Sequence, residues 1–192
     1  MTMRGMATVA AIFAMLSTAP AVVAQTRPIN LDRSTLTVLV YKSGLFSAFA
    51  DDPVISAPVA TGSLSDAVPL SIEIAVRAAN LKVLDPNLSE SRRAEVQTRM
   101  LSPEVLDTAR YADITFVSTT IVPAGADKWT VTGQLTIHGQ TRSITFPVAR
   151  QDGSYRGTVP VKQRDFGITP ISICGGTVKV KDEVKVQFEI VP

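Results

Sequence analysis

Groups able to do chemistry are scarce in this sequence: its 192 residues include one cysteine, one histidine and one tryptophan, and aromatic residues make up only 6%. With Cys174 alone, no internal disulfide can form, so a folded domain must be held by its core. Cys174 precedes Gly175-Gly176 and has no neighbour in sequence to activate a thiolate. His138 lies beside Gly139 in an expected hairpin turn, and a Ser-His-Asp arrangement has no other imidazole to use. The spacings that bind zinc are missing. Asp51-Asp52-Pro53 lacks the regular oxygen series of a calcium loop, and adjacent extended carboxylates point apart. No Lys-Ser/Thr follows Gly175-Gly176, which excludes a phosphate cradle. Together these absences argue against an enzyme and against a metal or organic cofactor. Charge of one sign is lacking too: 19 basic residues face 17 acidic ones, too even a balance for bulk nucleic-acid binding.

Long apolar runs are confined to the N-terminus. Met1–Arg4 is short and basic, and Gly5–Ala24 is apolar, centred on Val9, Ile12, Phe13, Met15 and Leu16. Its apolar stretch of about 15 residues is shorter than the roughly 20 needed to span a bilayer. Small residues before Gln25 suit a signal peptidase. The expectation is a signal peptide over 1–24, cleaved after Ala24, and an exported domain over 25–192. No cysteine stands near that point to carry a lipid. The compartment expected is extracytoplasmic and bacterial, the periplasm.

What the sequence has is alternation. Leu70, Ile72, Ile74, Val76 and Ala78 share one face; so do Trp129, Val131, Leu135 and Ile137; then Ile144, Phe146 and Val148; and finally Val178, Val180, Val184, Val186, Phe188 and Ile190. Successive strand side chains point to opposite sides, so these are half-buried strands of antiparallel sheets. His138-Gly139 and Asp152-Gly153 mark tight turns. The stretch from about Ala112 to Lys162 reads as four hairpin-linked strands. Adding Ile29–Lys42, Val59–Leu64, Leu70–Ala79 and Val178–Ile190 gives about eight strands. So many antiparallel strands hide their edges by closing, which predicts a mainly β fold with an extended antiparallel barrel.

Asn87–Tyr111 departs from this pattern. Ser89 is placed to cap a helix running through Val96, and Ser102-Pro103-Glu104 predicts a second short helix over Pro103–Ala109. This helical insert has an apolar side and is expected across one end of the barrel. Ala50–Pro58 reads as a loop. An eight-stranded barrel can be filled by its own side chains or hold one small ligand, and composition favours neither.

Three segments resemble the YceI-like family of polyisoprenoid-binding, lipocalin-like periplasmic proteins. They are the hairpin from Trp129 through Gly133-Gln134-Leu135-Thr136-Ile137-His138-Gly139 to Thr141-Arg142, the strand entry Arg110-Tyr111-Ala112-Asp113-Ile114-Thr115-Phe116, and Arg164-Asp165-Phe166-Gly167-Ile168. The likeness covers nearly all of 25–192. It implies a tunnel holding an apolar isoprenoid or quinone-like lipid. Phe46, Phe49, Ile72, Ile74, Val76, Phe116, Trp129, Leu135, Ile144, Phe146 and Phe166 are expected to line it. Leu101, Val105 and Leu106 are expected to cover one end, and Arg164 to meet a head group at the mouth. Transient contact with a membrane surface is expected; a homodimer is left open. Relatives with histidines after the first strand differ from Ser47–Val54 here, which has none. The alternative is a filled barrel acting as a protein-interaction or stress-response module.

Overall fold

The computed structural model of the protein describes residues 26–43, 54–86, 88–173 and 178–192. In chain order the strands are β1 (Arg27–Pro28), β2 (Thr35–Leu39), β3 (Lys42–Ser43), β4 (Val54–Ser56), β5 (Val59–Ser65), β6 (Ser71–Arg77) and β7 (Lys82–Val83). Helix α1 (Glu90–Leu101) comes next. Then follow β8 (Asp113–Gly125), β9 (Lys128–Ile137), β10 (Gln140–Gln151), β11 (Ser154–Lys162), β12 (Ser172–Ile173), β13 (Val178–Val180) and β14 (Glu183–Ile190). The main sheet is antiparallel throughout, in the order β1-β5-β6-β8-β9-β10-β11-β14-β2-β4-β7.

That order closes on itself. Strands β4 and β5 are one chain segment separated only by Ala57-Pro58; its first half pairs with β2 and its second half with β6. Counting that segment once, eight strands follow each other around a ring: β2, β4/β5, β6, β8, β9, β10, β11 and β14. The N-terminal segment reinforces the seam. Ile29 N–H donates to Gly62 O at 3.1 Å, Asn30 N–H donates to Val191 O at 2.8 Å, and Val191 N–H donates to the buried Ser34 hydroxyl at 3.0 Å. A barrel closed in this way leaves few edges to aggregate.

The turns follow sequence chemistry. His138 and Gly139 both take positive φ, 50° and 70°, as do Asp152 and Gly153, at 50° and 81°. This is the type I′ geometry whose twist matches flanking strands. Gly139 is also needed for close approach, since a Cβ there would stand 2.5 Å from the Tyr111 ring.

Several sequence expectations are corrected. The Val178–Ile190 run is two strands: β13 belongs to a separate three-stranded sheet with β12 and β3, and the chain turns at Lys181-Asp182 before β14. Ile29–Lys42 is likewise broken, by a turn at 31–33. Ala50–Pro58 is not all loop, because Val54–Ser56 forms β4. Ser89 does cap α1, accepting from Arg92 N–H at 3.4 Å, but the helix runs on to Leu101. The second helix over Pro103–Ala109 is a series of turns instead. Ser102 does accept the Glu104 N–H at 3.2 Å as expected, but its hydroxyl also donates to Arg99 O at 2.8 Å and so closes α1. Asp107 then takes a positive φ of 44°, which ends any helical run.

Candidate functional site: an apolar cavity in the barrel

The inward faces of the ring enclose a cavity of about 390 Å³. That size falls within the range of small-molecule sites. Its walls come from almost every strand: Leu36 and Val38 of β2, Ile55 of β4, Ile72, Ile74 and Val76 of β6, Ile114, Phe116 and Ile121 of β8, and Trp129, Val131, Leu135 and Ile137 of β9. Ile144, Phe146 and Val148 of β10, Tyr155, Val159 and Val161 of β11, and Val184, Val186, Phe188 and Ile190 of β14 complete the circuit.

Pairing register explains why these side chains meet. Phe116 lies opposite Leu135, and Ile144 and Phe146 lie opposite Gly133 and Val131. Strand β8 carries a bulge between Ser118 and Thr120. The extra residue, Thr119, reverses the alternation, so Ile114 and Phe116 point inward before it and Ile121 after it. Aromatic rings form a line through the interior: Phe116 to Phe146 at 5.4 Å, and Phe146 to Phe188 at 5.7 Å between centroids. Phe116 sits over Gly133, where a Cβ would collide with its ring.

The two ends differ. At one, the insert after β7 lies across the barrel, and Leu81, Met100, Leu106 and Phe166 are buried there as cavity walls. Gln97 fastens α1 in place: its side-chain amide donates to Leu81 O at 2.7 Å, and its carbonyl accepts from Val83 N–H at 2.9 Å. At the other end the walls include Ser65, Asp66, Leu70, Ser71, Trp129, Arg150 and Tyr155. Asp66 and Arg150 are exposed there. Asp66 accepts from Arg27 at 2.5 Å. Arg150 lies over the Tyr155 ring, 5.8 Å from its centroid.

Of the residues expected to line a tunnel, Ile72, Ile74, Val76, Phe116, Trp129, Leu135, Ile144, Phe146 and Phe166 stand on its walls, joined by Val105 and Leu106 of the insert. Phe46 and Phe49 lie outside the described residues. Leu101 packs against the core without reaching the cavity; Met100, one residue earlier on the helix, takes that place. Arg164 is corrected: it is exposed on the turn Gln163–Phe166, with its backbone N–H donating to Asp182 Oδ1 at 2.9 Å, and is not a cavity wall. Sequence reasoning missed the polar wall residues, Arg150 and Tyr155 together with Ser65, Asp66, Ser71, Thr115 and Gln163. For Arg150 the signal was present in parity, since it continues Ile144, Phe146 and Val148 on one face of β10.

Among the described residues the cavity walls carry no thiol, no imidazole and a single carboxylate, Asp66. Such a lining can bury an apolar chain, and each buried CH₂ is worth about 0.8 kcal/mol.

Comparison with known proteins agrees with this architecture. The UPF0312 protein of Vibrio cholerae is 30% identical over 114 residues, which cover 54% of this chain and 59% of that protein. The UPF0312 protein of Pseudomonas fluorescens is 34% identical over 88 residues, 41% of this chain and 46% of that one. The matched segments thus span roughly half the length of these curated relatives. Among solved structures, Burkholderia cenocepacia BcnA superposes with a TM-score of 0.68 at 23% identity, covering 84% of this chain and 98% of that one. A polyisoprenoid-binding domain from Saccharophagus degradans superposes with a TM-score of 0.59 at 15% identity, covering 85% and 95%. These likenesses are of fold. The YceI-like domain profile matches residues 28–191, nearly the whole described barrel, and the chain belongs to the YceI-like domain family.

Proposed function

We propose that this protein is a non-catalytic carrier that holds one apolar chain, a polyisoprenoid or comparable quinone-like lipid, inside the barrel. The observation that carries this reading is the cavity of about 390 Å³ with almost wholly apolar walls. A barrel built only as a scaffold gains stability by filling that space, since empty volume forfeits contacts. The binding named for the Saccharophagus degradans domain, which shares this fold, supports the same ligand class. The expected export of residues 25–192 places the carrier in the periplasm, where a free lipid tail is insoluble. A brief encounter with a membrane surface would load it. Val68, 83% exposed in the β5–β6 turn beside Leu70 of the cavity wall, is suited to enter an interface.

The test is uptake of geranylgeraniol by the mature protein. Trp129, the single tryptophan, stands on the cavity wall and reports occupancy through its emission. Saturable binding of one lipid per chain, with a shift in that emission, is expected. Among alcohols of increasing length, affinity should rise about fourfold per added carbon until the cavity is full, then level off. No uptake at any length would favour the filled-barrel interaction module.

A further inference from the structure

One seam of the ring is only partly joined. Strand β10 pairs with β9 from Gln140 to Ala149, and β11 pairs with β14 from Tyr155 to Lys162. Between β10 and β11, pairing covers only Ala149–Gln151 against Ser154–Arg156, next to the turn. Extending that register would set Thr145 against Pro160 and Ser143 against Lys162. Among the described residues no such pairing continues, although β10 reaches back to Gln140 and β11 runs on to Lys162.

Two prolines account for the break. In an antiparallel pair, the N–H and C=O of one residue point to the same neighbouring strand. The Pro147 carbonyl points at β11, since a Cβ on Gly157 would stand 2.7 Å from it. The donor that Pro147 lacks is therefore one that β11 would have received, and the β9–β10 register runs through Pro147 undisturbed. By the same alternation Thr145 faces the seam, and so does Pro160, whose missing donor leaves the β11–β14 register intact. Proline in a sheet belongs where its nitrogen faces no ladder, so β10 and β11 behave here as two facing edges.

A second cavity, of about 280 Å³, lies where the pairing is lost. Its walls include Ser143 and Ile144 of β10 and Pro160, Val161 and Lys162 of β11. Ile144, Val161 and Phe166 are walls of the barrel cavity too, so the two spaces share an apolar partition. The rim carries Arg142, Lys162, Asp165 and Glu183, and among the described residues none of them forms a salt bridge. Parting the strands at this place breaks no ladder and no ion pair; it requires only that apolar side chains move. Segments held in this way open at low local cost. The insert, by contrast, is fastened by the two-ended hydrogen bond of Gln97.

We propose that the β10–β11 seam is a lateral port, through which the apolar chain enters and leaves the barrel between Ile144 and Val161. This rests on the carrier reading above and adds to it a route. A port along a seam admits a chain sideways, so a long tail need not thread through an end.

The experiment bridges the seam. Ser143→Cys and Lys162→Cys, both at exposed positions, are combined with Cys174→Ser, which removes the native thiol. The folded protein is then joined across the pair with a reducible bis-maleimide. Uptake and release of geranylgeraniol are followed through the emission of Trp129. Bridging should slow both rates about tenfold or more and leave equilibrium affinity within about twofold, because a gate acts on rates and not on the bound state. Reducing the bridge in the same sample should restore both rates, and each single-cysteine variant carrying the reagent should exchange as wild type does. Three results overturn the port while the carrier reading stands: unchanged rates in the bridged protein, slowing that persists after reduction, or expulsion of lipid from protein loaded before bridging. Absence of uptake by the unbridged protein removes the carrier reading and this inference together.

Discussion

At the scale of single residues, the interior is set by contacts between aromatics and glycine. Phe116 occupies the space over Gly133, and a Cβ at that glycine would also approach Val117 O to 2.5 Å. Gly133→Ala should therefore destabilise the barrel by about 1–3 kcal/mol and reduce lipid capacity by pushing the ring inward, both readable by denaturant titration and lipid stoichiometry. Phe146 is buried between Phe116 and Phe188. Phe146→Ala should cost about 3–5 kcal/mol, since the space cannot collapse fully. Charge acts more weakly. Hydrogen bonding from Arg156 holds Glu189 below the usual carboxylate range. A lowered carboxyl stabilises the fold at pH above its unfolded value, about 4.3, and that contribution is lost as pH falls through the lower folded value. Acid titration of stability should thus be steeper below pH ~4.3 in wild type than in Glu189→Gln. Both partners are well exposed, so the difference will be small.

Among the elements, the hairpins of β8 to β11 were the most legible in the sequence, because alternation and turn residues agreed. His138-Gly139 and Asp152-Gly153 fix the register, and five of the expected cavity residues, Phe116, Trp129, Leu135, Ile144 and Phe146, follow from faces so defined. The elements missed were those where tertiary contacts override local pattern. Strands β4 and β7 are too short to show a period, and exist because they pair with β2 and with each other. The bulge at Thr119 flips a face without any composition signal. Ser102-Pro103-Glu104 carries a helix-start pattern and Ser102 accepts the Glu104 N–H, yet the same hydroxyl closes the preceding helix and the positive φ of Asp107 stops a new one. Arg164 was named from a motif rather than from parity, and parity points to Arg150. The insert itself is held to the barrel by a two-ended hydrogen bond of Gln97. Gln97→Leu should leave Val83 N–H and Leu81 O unpaired, at a cost of about 1–3 kcal/mol. Hydrogen exchange over α1 should rise, and bound lipid should leave faster, if the insert covers that end of the cavity.

For the whole molecule, closure is the feature that joins fold to function. One segment, 54–65, pairs with β2 and then with β6, and the residues around Ile29 and Ser34 tie the seam to Val191. The ring this makes is wide enough for a cavity and lined by strands whose outer faces are polar. Closure was foreseeable from strand number, but whether the interior is filled was not, because the same Val, Ile and Phe residues serve either outcome. Only their arrangement in space shows that room is left among them. The central claim, that the room is for a lipid, is tested most directly by native mass spectrometry of the protein purified from its native host. The account predicts a reproducible mass excess of one ligand per chain, released by organic solvent and fragmenting as an apolar chain. A bare protein mass that remains unchanged after incubation with geranylgeraniol and geranylgeranyl phosphate would contradict it.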